Sequence, residues 1–308
     1  MDLNLTTIAS ILYSIIRVST PIIFAAMAAL VSRKAGLTNM AVEGIMLISA
    51  LTGVVVSAAT GSLVLGILIA LLAGVLFAFF IAYLSLRLKA DMVLTCIAAN
   101  LLASGLTIVV MFLASGDKGT SSNLKSLVVP ELQIPLLSSI PFLGAVFSNH
   151  NAMTYLAFLT VFLVNFFIFK TPQGLRIRSV GENPNASESV GIDVERIQIS
   201  SFVISGFIGA LGGIYMSMGY VSWFARDMVA GRGFIGLSAM NLGNGSPLGS
   251  LLASVIFGSA DVAANSLQAL KIPAEFVQMI PYVSTIVGLV IFSIIRERNV
   301  KKKKKVEA

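Results

Sequence analysis

Apolar runs about the length of a membrane-crossing helix recur along this chain, and short polar or charged stretches separate them. The runs cover 8–31, 40–59, 62–86, 93–113, 152–169, 199–219, 248–268 and 275–295. An α-helix needs roughly 20 apolar residues to cross the hydrocarbon core of a bilayer. A shorter apolar piece at 233–243 predicts a short tilted span or a re-entrant element, since irregular backbone survives at membrane depth only where protein or water surrounds it. The fold class is therefore all-α. The pattern predicts one polytopic membrane domain over 1–308 with about nine spans, in a range of eight to ten. An outer loop is expected at 114–151, a charged inner loop at 170–198 and a basic tail at 296–308.

Composition sharpens this picture. With 56% hydrophobic and only 11% charged residues, the chain departs far from soluble domains, in which about a quarter of residues are charged. The net charge of +7 is not spread as nucleic-acid binding would require. If the N-terminus lies outside and 233–243 crosses, the inner segments hold Arg33, Lys34, Arg87, Lys89, Lys170, Arg176, Arg178, Arg196, Arg296, Arg298 and Lys301 to Lys305, fifteen of the 21 basic residues. The outer segments hold Lys118, Lys125, Arg226, Arg232 and Lys271. That asymmetry predicts an outer N-terminus and a cytoplasmic C-terminus, whose lysines meet anionic lipid. Cys96 is the only cysteine and His150 the only histidine, so no internal disulfide, histidine-based metal site or cofactor is expected. Asp2 and the lack of a basic leading segment argue against a cleaved signal peptide.

Polar residues inside the apolar runs carry the candidate chemistry. Gly36-Leu37-Thr38-Asn39-Met40-Ala41-Val42-Glu43-Gly44 places a carboxylate where hydrocarbon would cost it several kcal/mol, so Glu43 must face water or a partner inside the bundle. At helical spacing, Asn39, Glu43, Met46, Ala50, Gly53 and Ser57 share one face; Cys96, Asn100, Ala103 and Thr107 another; Ser254, Gly258, Asp261 and Asn265 a third. Ser205, Gly209, Gly212 and Met216, with Gly213, form a fourth. Such stripes line a pathway or permit close helix packing; for the small residues packing is the simpler reading. Arg17 either snorkels outward or starts an interfacial helix. In the inner loop, Asn183 suits an N-cap, Pro184 the first helical position and Gly191 the position after the helix. These residues specify a helix of about two turns, which is marginal alone and either docks a partner or packs on its own protein.

Several motifs are absent or misleading. Gly231-Arg232-Gly233-Phe234-Ile235-Gly236 matches the dinucleotide fingerprint but lacks a strand before it, so its glycines are read as a backbone break at the membrane. No phosphate-binding loop, H-E-x-x-H or G-x-S-x-G is present, and no catalytic residue is assigned.

The stretch from Gly36 through Asn39, Glu43 and Gly44 to Ile45, Met46 and Leu47 resembles the G-x-x-N-x-x-x-E-G-M-M-L segment of nucleoside-type ABC importer permeases. These are relatives of the ribose and branched-chain amino-acid permeases. Gly181-Glu182-Asn183-Pro184 through Gly191-Ile192-Asp193, Gly231 to Leu237 followed by Pro247-Leu248-Gly249, and Arg17 with Thr20-Pro21 agree in order and spacing over nearly the whole chain. Ile45, Asn241 and Gly245 depart from the pattern, where methionine, an apolar residue and tryptophan are usual. The resemblance implies a transport subunit and not an enzyme, set in a bacterial plasma membrane. It implies a second homologous permease forming a heterodimer, a cytoplasmic ABC ATPase and an external lipid-anchored binding protein. The helix within Glu182, Asn183, Pro184, Ala186, Ser187, Glu188 and Gly191 would couple to the ATPase. Asn39, Glu43, Asn100, Phe234, Asn241, Asp261 and Asn265 would face the pathway, with Phe234 stacking on a base. Ribose-type relatives usually show G-x-D-L-S-x-G at the first segment, so nucleosides are the expected substrate and ribose- or galactose-like sugars the alternative. An ion-coupled secondary transporter would show inverted repeats, and none is evident; a lipid-acting membrane enzyme would need paired carboxylates or an activated nucleophile.

Overall fold

A computed structural model describes residues 5–133 and 141–268, together with Val283 and Val290 as single positions. The expected span at 275–295 and the basic tail lie outside the described residues. Among the described residues seven helices are long and apolar enough to cross a membrane, the first four being α1 (Leu5–Lys34), α2 (Val42–Thr60), α3 (Leu63–Ala82, continued by a π-helical turn Tyr83–Arg87) and α4 (Met92–Ser115). A short α5 (Pro141–Phe147) precedes α6 (Ala152–Lys170). Then come α7 (Pro172–Glu182), α8 (Pro184–Ser189) and α9 (Val194–Ile214, continued by a π-helical turn Tyr215–Tyr220). The half-length α10 (Arg232–Leu242) leads into α11 (Pro247–Gln268). Two-residue strands β1 (Glu131–Leu132) and β2 (His150–Asn151) pair antiparallel in the loop after α4. The protein is thus a multi-pass, mostly helical membrane protein.

The helix boundaries follow from caps. Asp91, Asn151, Thr171 and Asp193 each accept a backbone N–H from the first turn of α4, α6, α7 and α9, the donors that a helix leaves unsatisfied. Gly61 and Gly116, at φ +64° and +76°, end α2 and α4 in the left-handed conformation that glycine adopts freely.

Helix α1 is the central post: from Val18 to Ser32 every residue is buried. Pro21 inside it deprives the Arg17 carbonyl of its helical donor, and the Tyr215 hydroxyl supplies a replacement at 2.8 Å. Small residues let α9, α2 and α11 approach closely. A Cβ on Gly212 would lie 3.1 Å from Phe24 and Met46, one on Gly53 2.7 Å from Met218 Sδ, and one on Gly258 would strike Ser19. The glycine stripes are therefore packing surfaces. By contrast, α3, α4 and α6 expose rows of leucine, isoleucine and phenylalanine, as helices facing lipid do.

The two ends of the bundle are distinct. At one end Gln198 donates to the Ala35 carbonyl and Gly181 abuts Gly36. At the other, Tyr13 donates to the Asn149 carbonyl (2.9 Å) and stacks on His150 at 4.1 Å. Burial pushes the His150 imidazole below its usual pKa. Here Ser121 N–H donates to the Phe224 carbonyl and Val129 N–H to that of Met218, each at 2.8 Å. Arg17, left open between two readings, donates to the Tyr220 carbonyl at 2.7 Å and lies over the Tyr220 ring.

Candidate functional site

Two segments enter the bundle from opposite ends and meet inside it. The first is 35–41. Asn39, almost fully buried, donates to Ser205 Oγ at 2.9 Å, and Ser205 donates to the Ala28 carbonyl at 2.6 Å. Ala28 lies six residues before Lys34, roughly 9 Å along the axis of α1. The chain therefore turns back into the bundle before α2 begins. The second segment is 221–231. It leaves Phe224 at the far end and descends through tight turns, with Asp227 and Ala230 at positive φ. At Arg232 it becomes α10, whose eleven residues span about 16 Å, half a bilayer core. The expected piece at 233–243 is thus the helical half of a segment whose Gly245 approaches Lys34 at the α7 end.

Glu43 joins the two segments. Its Oε1 accepts the Gly231 N–H and its Oε2 the Gly233 N–H, both at 2.8 Å. These are orphan donors at the start of α10, where the helix dipole also favours a negative charge. Gly231, at φ +79°, turns the backbone into this cap. A Cβ on Gly233 would lie 2.6 Å from the Glu43 nitrogen, so only glycine fits there. Asn100 of α4 repeats the device on α2: it accepts the Gly44 N–H and donates to the Met40 carbonyl, both at 2.9 Å. Asn39 Oδ1 accepts the Ala41 N–H at 3.0 Å. Asn39, Glu43 and Asn100 are brought together, each bonded to the protein's own backbone or to Ser205.

The other pathway candidates lie on α10 and α11 and show no hydrogen bond to Asn39, Glu43 or Asn100 among the described residues. Phe234 is 42% exposed and shares one face of α10 with Ser238 and the exposed Asn241. Asp261 of α11 pairs with Arg232 at 3.3 Å, and both side chains are 17% exposed. Asn265 is exposed near the end of α11. On the opposite flank Ser104 donates to Asp227 at 2.8 Å.

The second candidate region is the 170–198 loop. Asn183 Oδ1 accepts the Ala186 N–H at 3.1 Å, Pro184 opens α8, and Gly191 follows the helix at φ +81°. Glu182, Asn183, Pro184, Ala186, Glu188 and Gly191 are exposed, and Ser187 is buried. The preceding α7 packs its Gly181 against the backbone of Lys34 and Gly36, the entry to the Asn39 turn. Arg87, at the end of α3, pairs with Glu195 at 2.8 Å. The α8 helix thus adjoins α7, which touches the start of the 35–41 turn.

Residues 11–294 match the family model described as "Branched-chain amino acid transport system / permease component". The chain belongs to this permease family. The permease is 34% identical to the nucleoside ABC transporter permease protein NupC of Lactococcus lactis subsp. cremoris, with 93% of each chain covered. It is 34% identical to the guanosine ABC transporter permease protein NupQ of Bacillus subtilis over 88% of each. A putative glucose ABC transporter permease protein, TsgC13 of Haloferax volcanii, is 27% identical over 87% of this permease and 80% of its own length. In structure, PsaBC from Streptococcus pneumoniae in complex with Fab shares the fold (TM-score 0.52, 12% identity, 90% of this chain and 89% of that one).

Sequence reasoning did not assign Ser205, Ser238, Arg232, Asp227 or Ser104 to a site. Arg232 carried a usable signal, a lone cation between two glycines at the head of an apolar piece. The partners of Ser205 and Ser104 lie more than 100 residues away in sequence, beyond the reach of local pattern. The helices α5 and α7 were not expected either.

Proposed function

We infer that this permease is the membrane-spanning subunit of an ATP-binding-cassette importer for nucleosides, a transport component and not an enzyme. The carrying observation is the 34% identity to NupC over 93% of both chains. Orientation follows the basic residues: the 170–198 loop faces the cytoplasm of a bacterial cell, the 114–151 loop faces outward, and the 221–245 segment counts as one of nine crossings. The exposed α8 docks a separate ATPase, an external lipid-anchored binding protein delivers substrate, and a second permease completes the passage. Two permease relatives come from each of two organisms, NupB and NupC from Lactococcus lactis and NupP and NupQ from Bacillus subtilis, which supports a heterodimer.

Within this reading the polar residues divide by role. Asn39, Glu43 and Asn100 shape the passage by fixing the starts of α2 and α10. Phe234 stacks on a nucleobase, Ser238 and Asn241 offer hydrogen bonds one and two turns along, and Asp261 and Asn265 border the outer half. Movement of α8 reaches the knot through Gly181 and Gly36, so ATP-driven closure of the partner shifts α10 between outward and inward access. The glucose permeases among the relatives favour a sugar as the second reading. Uptake of labelled guanosine and uridine by cells carrying the intact transporter decides between them. Excess unlabelled nucleoside should abolish uptake and excess ribose, galactose or glucose should leave it intact; competition by sugar alone would overturn the nucleoside assignment.

A further inference from the structure

Two cations crowd one aromatic ring at the bundle end that carries α7. Lys34 Nζ lies 5.5 Å from the centroid of Phe169, and the guanidinium carbon of Arg178 lies 5.3 Å from it. Both side chains are half-buried, and Arg178 Nε is buried without a hydrogen-bond partner. Among the described residues neither cation is in a salt bridge. Glu182, one turn along α7 from Arg178, is exposed and attracts Lys34 from beyond ion-pair distance, an offset weaker than burial and the repulsion from Arg178. Lys170, exposed beside Phe169, adds a third positive charge. Half-buried like charges repel one another and lose hydration, and a ring face compensates only in part. The arrangement calls for an anion.

A second, independent feature says what kind. Leu159, Phe162, Leu163 and Phe166 are exposed on one face of α6, and this apolar stripe ends at Phe169. From Leu159 to Phe169 the helix rises roughly 15 Å, the depth of hydrocarbon in one leaflet. The cations therefore sit at headgroup level, directly above a surface shaped for acyl chains.

We propose that Lys34, Arg178 and Phe169, with Lys170 at the rim, bind the phosphate headgroup of an anionic phospholipid whose acyl chains lie along the α6 stripe. Arginine offers phosphate a planar fork and lysine a compact charge. A zwitterionic lipid brings its own ammonium into the same cation cluster and is disfavoured. The site is independent of which solute the permease carries.

The test is native mass spectrometry of the assembled transporter, stripped of lipid and then exposed to phosphatidylglycerol or phosphatidylcholine with identical acyl chains. Wild type should retain phosphatidylglycerol about tenfold more than phosphatidylcholine. The double variant Lys34→Gln/Arg178→Gln should retain both equally, Lys34→Arg should keep the preference, and Lys118→Gln, at the opposite end, should leave it untouched. Should the double variant not assemble, Arg178→Gln alone should weaken the preference. Equal retention by wild type, or a preference that survives loss of Arg178 and Lys34, would overturn the proposal. So would complete displacement of the lipid by inorganic phosphate, or crosslinking of Leu163→Cys to the second permease in membranes, which would mean that protein covers the stripe.

Discussion

In the knot of Asn39, Glu43 and Asn100, each polar side chain is engaged by the protein's own backbone or by Ser205. In the 183–191 segment the same residue types face outward; Asn183 Oδ1 and the Ser189 hydroxyl bond within the segment itself, and Ser187 is buried. Both regions interrupt helices, and both carry asparagine, glutamate and glycine. The difference lies in their surroundings. Inside the bundle an unpartnered N–H or carboxylate costs several kcal/mol, so polar residues there complete the scaffold first. At the bundle end water satisfies them, and they remain available to a partner. One region holds shape; the other, in the proposed function, transmits force.

That contrast can be broken most severely at Gly233. Alanine there would bring a Cβ within 2.8 Å of the Glu43 backbone, an overpacking that costs about 3 kcal/mol. The melting temperature of the detergent-solubilised transporter should fall sharply and uptake should vanish. Glu43→Ala leaves two buried N–H groups without an acceptor and should cost about 3 kcal/mol. Glu43→Gln, which keeps one acceptor, should melt between it and wild type. Asn100→Ala removes one acceptor and one donor and should cost about 2 kcal/mol on the same measurement.

The loop should behave otherwise. Asn183→Ala removes an N-cap worth about 1 kcal/mol to α8. It should leave the bundle's melting temperature in place while nucleoside moved per ATP hydrolysed declines. Glu188→Lys, at an exposed position, should change stability by less than about 0.5 kcal/mol, with the loss appearing as reduced co-purification of the ATPase. If either loop variant melted the bundle as Glu43→Ala does, the division between the two regions would fail.

How much of this was legible beforehand follows the range of the interactions. The caps at Asn183, Pro184 and Gly191 act over a few residues, and the sequence specifies them. The long spans are written in runs of apolar residues, and α2, expected at 40–59, occupies Val42–Thr60. Glu43 was recognisable as a carboxylate in need of company. Its partners, Gly231 and Gly233, lie 188 and 190 residues away, and no periodicity names them. The half-helix α10 was ambiguous because eleven residues fit a tilted span and a re-entrant element alike; the turns at 225–231 that lead into it use non-glycine residues at positive φ, which local propensity disfavours. The π-helical turns at 83–87 and 215–220 were likewise invisible to a 3.6-residue pattern.

The most direct test of the account is labelled-nucleoside accumulation in proteoliposomes, comparing this chain alone with this chain joined by its second permease, ATPase and binding protein. The complete assembly should accumulate nucleoside only when ATP reaches the face that carries α8, and the chain alone should accumulate none. Accumulation by the chain alone, or by the assembly without ATP and abolished by an uncoupler, would contradict it.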